Sequence, residues 1–163
     1  MEPPRHLPNR FDSLSLSLVA AAALLFAAVT GAQPPPSELS PESPELIRPE
    51  ALVKALQSSA KPIILNVGPR VIHVQGHIPG AEYIGPTAKP EGLDTLRARV
   101  TSLPRDSFLV IYCGCCPWEH CPNIKPAYKE LKDMGFTRLK VLYIKNSFGS
   151  DWVRQGYPTT KGE

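Results

Sequence analysis

The chain has 163 residues, with 18 Lys and Arg against 15 Asp and Glu for a net charge of +3. That length suits one domain with an appendage rather than two independent cores, and 42% hydrophobic with 20% charged residues excludes a wholly disordered chain. The weak positive balance points to no nucleic-acid partner, and 4 cysteines are too few for a disulfide scaffold.

Arg5 and Arg10 precede an apolar run from Leu14 to Val29. A membrane-spanning helix needs about 20 such residues. A signal-peptide core needs about 7–15, followed by small residues such as Thr30-Gly31-Ala32. Residues 1–32 are therefore expected to be a signal peptide and the protein to be exported, periplasmic or secreted. The alternative is an uncleaved N-terminal anchor, the sole membrane association expected. Gln33 to Pro49 is rich in proline, which blocks helix and interior strand. A Pro-rich linker is expected over 33–44, and one folded domain over 45–163.

Within the domain, Pro49 to Ser58 predicts a helix with proline in its first turn. Ile63-Ile64-Leu65-Asn66-Val67 predicts a buried strand ended by Gly68-Pro69. Gly76 to Ala81 is turn-rich and leads to a short strand near Tyr83-Ile84. Leu93, Leu96 and Val100 share one helical face within 93–103, and Ser107 to Tyr112 is the strongest strand. Ile124 to Met134 reads as a helix with Asn123 as N-cap and Gly135 as its stop. A strand over 139–144 and a short helix over 149–155 follow. Strands alternating with helices predict an α/β fold, a central parallel sheet with helices on both faces.

All four cysteines, Cys113, Cys115, Cys116 and Cys121, lie in one short stretch directly after the strongest strand. Staples join distant segments, so clustered thiols point to a site. In a parallel sheet, reactive groups gather at the carboxyl ends of strands beside helix N-termini, which is the position of Cys113. A thiolate there faces oriented N–H groups and the positive end of a helix dipole, and both lower a thiol pKa.

The segment Gly76-His77-Ile78-Pro79-Gly80-Ala81, the strand ending in Tyr112-Cys113, Gly135-Phe136, and the closing Asp151-Trp152 with Gly156-Tyr157-Pro158 together resemble the rhodanese-like family. The resemblance covers about residues 44–158. It implies a small domain with a sheet of about five parallel strands, and sulfurtransferase chemistry in which Cys113 carries a sulfane sulfur as a persulfide. It further implies a small sulfur donor and a thiol or other nucleophilic acceptor, including a protein thiol, and no cofactor. Gly114, Pro117, Trp118, Glu119 and His120 then belong to the substrate loop, with Cys115, Cys116 and Cys121 as resolving or auxiliary thiols.

The chain departs from the family's pattern at three points. The interval from Cys113 to Gly135 is longer than usual by about five residues. Trp118 stands where many members have an arginine, leaving His120 or Lys125 to supply positive charge. Asn66-Val67-Gly68 replaces an Asp-x-Arg, with Arg70 two residues on.

The residues leave two other readings open. Cys113-Gly114-Cys115-Cys116 is a C-x-x-C arrangement, which suits a thiol–disulfide redox protein using Cys113 and Cys116. Cys113, Cys116, His120 and Cys121 also offer soft ligands for zinc or copper(I). His77 is expected to order its turn by hydrogen bonds, His73 to lie unpartnered at the surface, Trp152 to pack, and Tyr128 to sit in or at the rim of the core. There is no Gly-rich phosphate loop with a lysine and no Ser-His-Asp pattern.

Overall fold

In a computed structural model, the described residues are Met1 and 39–162. The expected signal peptide and most of the expected linker lie outside them. The chain divides between Pro34 and Pro35, and the second unit holds the folded domain. No helix among the described residues is long and apolar enough to cross a membrane.

The domain runs β1 (Leu46–Ile47), α1 (Pro49–Leu56), β2 (Ile63–Asn66), α2 (Arg70–Gln75), β3 (Glu82–Tyr83), α3 (Pro90–Val100), β4 (Leu109–Tyr112), α4 (Ile124–Asp133), β5 (Leu139–Leu142) and α5 (Phe148–Asp151), with short 3-10 turns at Trp118–His120 and Val153–Gln155. The five strands form one sheet in the order β1-β5-β4-β2-β3. Every pairing in it is parallel. The expected α/β class and strand number both hold.

Strand β4 is central and fully buried, because parallel strands are covered on both faces. Its period of two divides its side chains between two cores. Leu109, Ile111 and Cys113 pack on one face with Leu96 and Val100 of α3 and Ile124, Ala127 and Leu131 of α4. Val110 and Tyr112 pack on the other with Leu52, Phe148 and Trp152. This alternation sends Cys113 to the α4 side. Helix α4 buries Ile124, Ala127, Tyr128 and Leu131, one stripe at helical spacing.

The structure adds two short elements and corrects one local expectation. The proline-rich block contains β1, whose Leu46 and Ile47 pair with Val141 and Leu142 at the sheet edge, where prolines on either side cost no ladder bond. Arg70–Gln75, to which the sequence pattern assigns no element, is a helix. His73 is 4% exposed rather than at the surface. It stacks on His77 with ring centroids 4.0 Å apart. His77 does order its turn, through Nδ1 to the His73 carbonyl at 2.9 Å and paired backbone bonds with Thr160. Trp152 is wholly buried and donates Nε1–H to the Pro158 carbonyl, a packing role as expected.

The His73 environment sets a pH dependence. Asn66 Oδ1 accepts from the Gly68 N–H, so its Nδ2 donates to His73 Nδ1, 3.2 Å away, and that nitrogen must be unprotonated. Burial first, then His77 and Arg70, hold the His73 pKa below its ordinary 6.5. A histidine whose folded pKa is depressed is held neutral in the fold and takes up its proton on unfolding. For a histidine, the stabilisation is present above about pH 6.5 and is lost as pH falls below it. The melting temperature should drop between about pH 7 and about pH 5 more steeply than in His73→Gln; parallel profiles for the two proteins would remove His73 as the cause.

Candidate functional site

The site is built at the carboxyl end of β4, beneath the N-terminus of α4. The chain leaves β4 at Cys113 and turns through Gly114, whose φ of +76° suits glycine. Gly114 lies against Phe148: its carbonyl accepts the Phe148 N–H at 2.9 Å. The loop is fixed again at Trp118, whose backbone N–H donates to the Lys145 carbonyl at 3.0 Å and whose ring lies 5.2 Å from that of Tyr143.

Cys113 is 2% exposed. Its Sγ lies 3.2 Å from Cys115 Sγ, and Cys115 Sγ lies 3.3 Å from Cys116 Sγ. The thiol sulfurs of Cys113, Cys115 and Cys121 all fall within 4.8 Å of one another. The loop therefore brings Cys115 against Cys113, and Cys116 turns instead toward the His120 carbonyl at 3.6 Å. No disulfide joins any of the four. Pro117, Glu119 and His120 are exposed.

Residues outside the loop complete the setting of the Cys113 sulfur. Asn123 donates Nδ2–H to Sγ at 3.4 Å. Its Oδ1 accepts from the Ala88 N–H at 3.0 Å, and its backbone carbonyl accepts from Thr87 Oγ1 at 2.6 Å. Asn123 occupies the cap position of α4, but its side chain makes no cap bond; the expected N-cap is instead a bridge from the helix start to the thiol. On the opposite side stands Gly68, where an added Cβ would lie 3.1 Å from both Sγ and the carbonyl oxygen of Cys113. The Asn66-Val67-Gly68 segment thus supports the site sterically, with Asn66 closing the turn.

The four thiols are electrostatically unequal. Cys121 is drawn down to about 6, first by the hydrogen bond from Cys113, against burial, with help from the backbone N–H groups of Asn123 and Ile124 at the start of α4. Its contact with Cys121, and then burial, push the Cys113 thiol upward. Burial, then Cys115, push Cys116 up to about 12. The helix N-terminus that the sequence pattern assigns to Cys113 is directed at Cys121.

Two cavities meet here. One, of about 10 Å³, borders Cys113 itself. The other is a cleft of about 250 Å³ bordered by Trp118, Glu119, Cys121 and Lys125. Trp118, Cys121 and Ile124 line both, so they form the partition between the cleft and the buried thiol. Lys125 is the cation at the cleft. Sequence reasoning missed the roles of Thr87 and Gly68. Nothing local marks Thr87, which lies 36 residues from its partner; the small residue after a buried strand was the available signal for Gly68.

No protein-family model matches the chain, and no curated protein does. Solved structures do. The chain is similar to a solution NMR structure of the rhodanese-like domain of an Anabaena protein, at 22% identity and a TM-score of 0.53, covering 73% of this chain and 80% of that one. A crystal structure of the same Anabaena protein aligns at 22% identity and a TM-score of 0.55, over 71% and 92% of the two chains. A crystal structure of a Bacillus halodurans protein aligns at 17% identity and 0.54, over 71% and 76%.

Proposed function

We propose that this domain, which has the rhodanese-like fold, is a sulfurtransferase that moves a sulfane sulfur through a persulfide on Cys113. The observation that carries the reading is the placement of Cys113: at the carboxyl end of the central strand, on the α4 face, with the Asn123 amide donating to its sulfur.

In the first step, the Cys113 thiol passes its proton to the Cys121 thiolate it contacts, and its sulfur attacks the outer sulfur of a donor such as thiosulfate. A Cys113 S–S bond forms, the donor's S–S bond breaks, and the leaving group departs with that electron pair as sulfite. In the second step, an acceptor thiolate attacks the outer sulfur of the persulfide and Cys113 leaves as thiolate. Oxidation states balance over the two steps, so no external oxidant or reductant is needed. The Asn123 N–H stabilises negative charge on the sulfur in both. The donor docks in the cleft beside Trp118, Glu119 and Cys121, where Lys125 supplies the positive charge for an anion, and the partition of Trp118, Cys121 and Ile124 must part to admit it to Cys113.

A second reading, thiol–disulfide exchange, is favoured by the 3.2 Å approach of Cys113 to Cys115. One experiment separates the two. Reduced, chelator-treated protein is incubated with thiosulfate or a polysulfide, and the Cys113–Cys121 peptide is then mapped by mass spectrometry under non-reducing conditions. Sulfur transfer predicts one added sulfur atom on Cys113, removed by an acceptor thiol with stoichiometric transfer. A disulfide between Cys113 and Cys115 or Cys121, with no added sulfur under any donor, would overturn the persulfide reading in favour of redox exchange.

A further inference from the structure

We propose that Cys113, Cys115 and Cys121 form a three-thiolate site for a soft d10 cation, copper(I) or zinc(II). The three sulfurs, from a strand end, a loop and the residues preceding a helix, lie within 4.8 Å of one another. Three sulfurs bound to one ion at about 2.3 Å stand about 4 Å apart when the ion lies in their plane. The three sulfurs lie within 4.8 Å of one another before any ion binds, and the 3.2 Å Cys113–Cys115 pair has to open slightly.

The donor set selects the class of ion. Thiolates favour copper(I) and zinc over magnesium, calcium or manganese, which require oxygen ligands. No carboxylate or histidine belongs to this cluster among the described residues. His120, the imidazole of the loop, is exposed. Cys116, which the C-x-x-C spacing pairs with Cys113, is outside the group of three, although its sulfur touches Cys115 at 3.3 Å.

The surroundings also suit a metal-bound thiolate. Asn123 Nδ2–H points at the Cys113 sulfur, and Asn123 is itself fixed by Thr87 and Ala88. Hydrogen bonds of this kind orient ligands and offset their charge. Cys113 is buried and its two partners are half-buried. Because Cys113 is shared, an ion held there and a persulfide on Cys113 exclude each other. The metal site stands whether or not the domain transfers sulfur.

The test uses the reduced full chain under anaerobic conditions. Copper(I) is titrated against a chromophoric chelator, and zinc(II) against a second one. One ion per chain should be retained in at least one titration. Cys115→Ser and Cys121→Ser should each weaken retention by at least about tenfold, whereas Cys116→Ser and His120→Ala should hold the ion as tightly as the unmodified chain. Circular dichroism of each variant verifies folding. Retention in the copper arm alone identifies copper(I), and in the zinc arm alone identifies zinc. The proposal is overturned by loss of both ions to the chelators, or by dependence on Cys116 or His120 with Cys115→Ser unaffected.

Discussion

Cys113→Ser is expected to reduce sulfur transfer to the uncatalysed level, a fall in kcat/KM of at least about 10³-fold. A serine oxygen in place of Sγ cannot hold a sulfane sulfur, so the two-step route closes altogether. Cys113 is nearly fully buried among Asn123, Gly68 and Cys115, and serine is smaller than cysteine, so the fold should survive. Cys116→Ser provides the comparison. Its sulfur faces the His120 carbonyl rather than Cys113, and it should lose less than about tenfold. The assay is run with reduced, chelator-treated protein, so that neither a disulfide nor a bound ion masks the carrier. Full activity in Cys113→Ser, with activity abolished in Cys116→Ser or Cys121→Ser, would move the persulfide to another thiol of the loop.

Gly114→Ala should lower stability by about 2–4 kcal/mol, read from the urea midpoint at unchanged slope. Two causes combine. Gly114 has a φ of +76°, where an L residue is strained. A Cβ there would lie 2.6 Å from Phe148 Cβ, a distance real Cβ atoms do not show, and Phe148 is 2% exposed and packed between Tyr112 and Trp152. The side chain has nowhere to move, so either the loop or the second core must shift. Gly80→Ala is the control. Gly80 has a similar φ of +78° but open space around its missing Cβ. It should cost only the conformational strain, about 1–2 kcal/mol. Equal losses in the two variants would show that the Phe148 overlap relaxes without cost. Because Gly114 adjoins Cys113, its substitution should also displace the thiols, with transfer activity falling further than the change in stability explains.

Much of the fold is legible in the residues. The β-branched run at 63–67, the SFLVIY segment and the run at 139–144 mark three central strands because a strand covered on both faces must be apolar throughout. The alternation with helical stretches gives a parallel sheet, and the placement of the cysteine loop at a strand end follows from it. The short edge elements were not legible. Strand β1 has two residues inside a proline-rich block, and α2 has six, so neither carries enough periodicity to be seen. Their pairing comes from the sheet edge and from the packing of His73 against His77.

The same division holds for the site. By itself, the sequence determines that every thiol of the chain sits in the loop after β4, because no other segment contains cysteine. The period of β4 further dictates that Cys113 turns toward α4. Which thiols meet is decided only in three dimensions. Spacing alone favours Cys116 as the partner of Cys113, but Gly114 in its left-handed turn and the anchoring of Trp118 at Lys145 bring Cys115 forward and turn Cys116 away. The start of α4 likewise directs its N–H groups at Cys121 rather than at Cys113. Loop closure depends on contacts with Phe148, Lys145 and Asn123 that are distant in sequence or serve another element, and no local pattern encodes them.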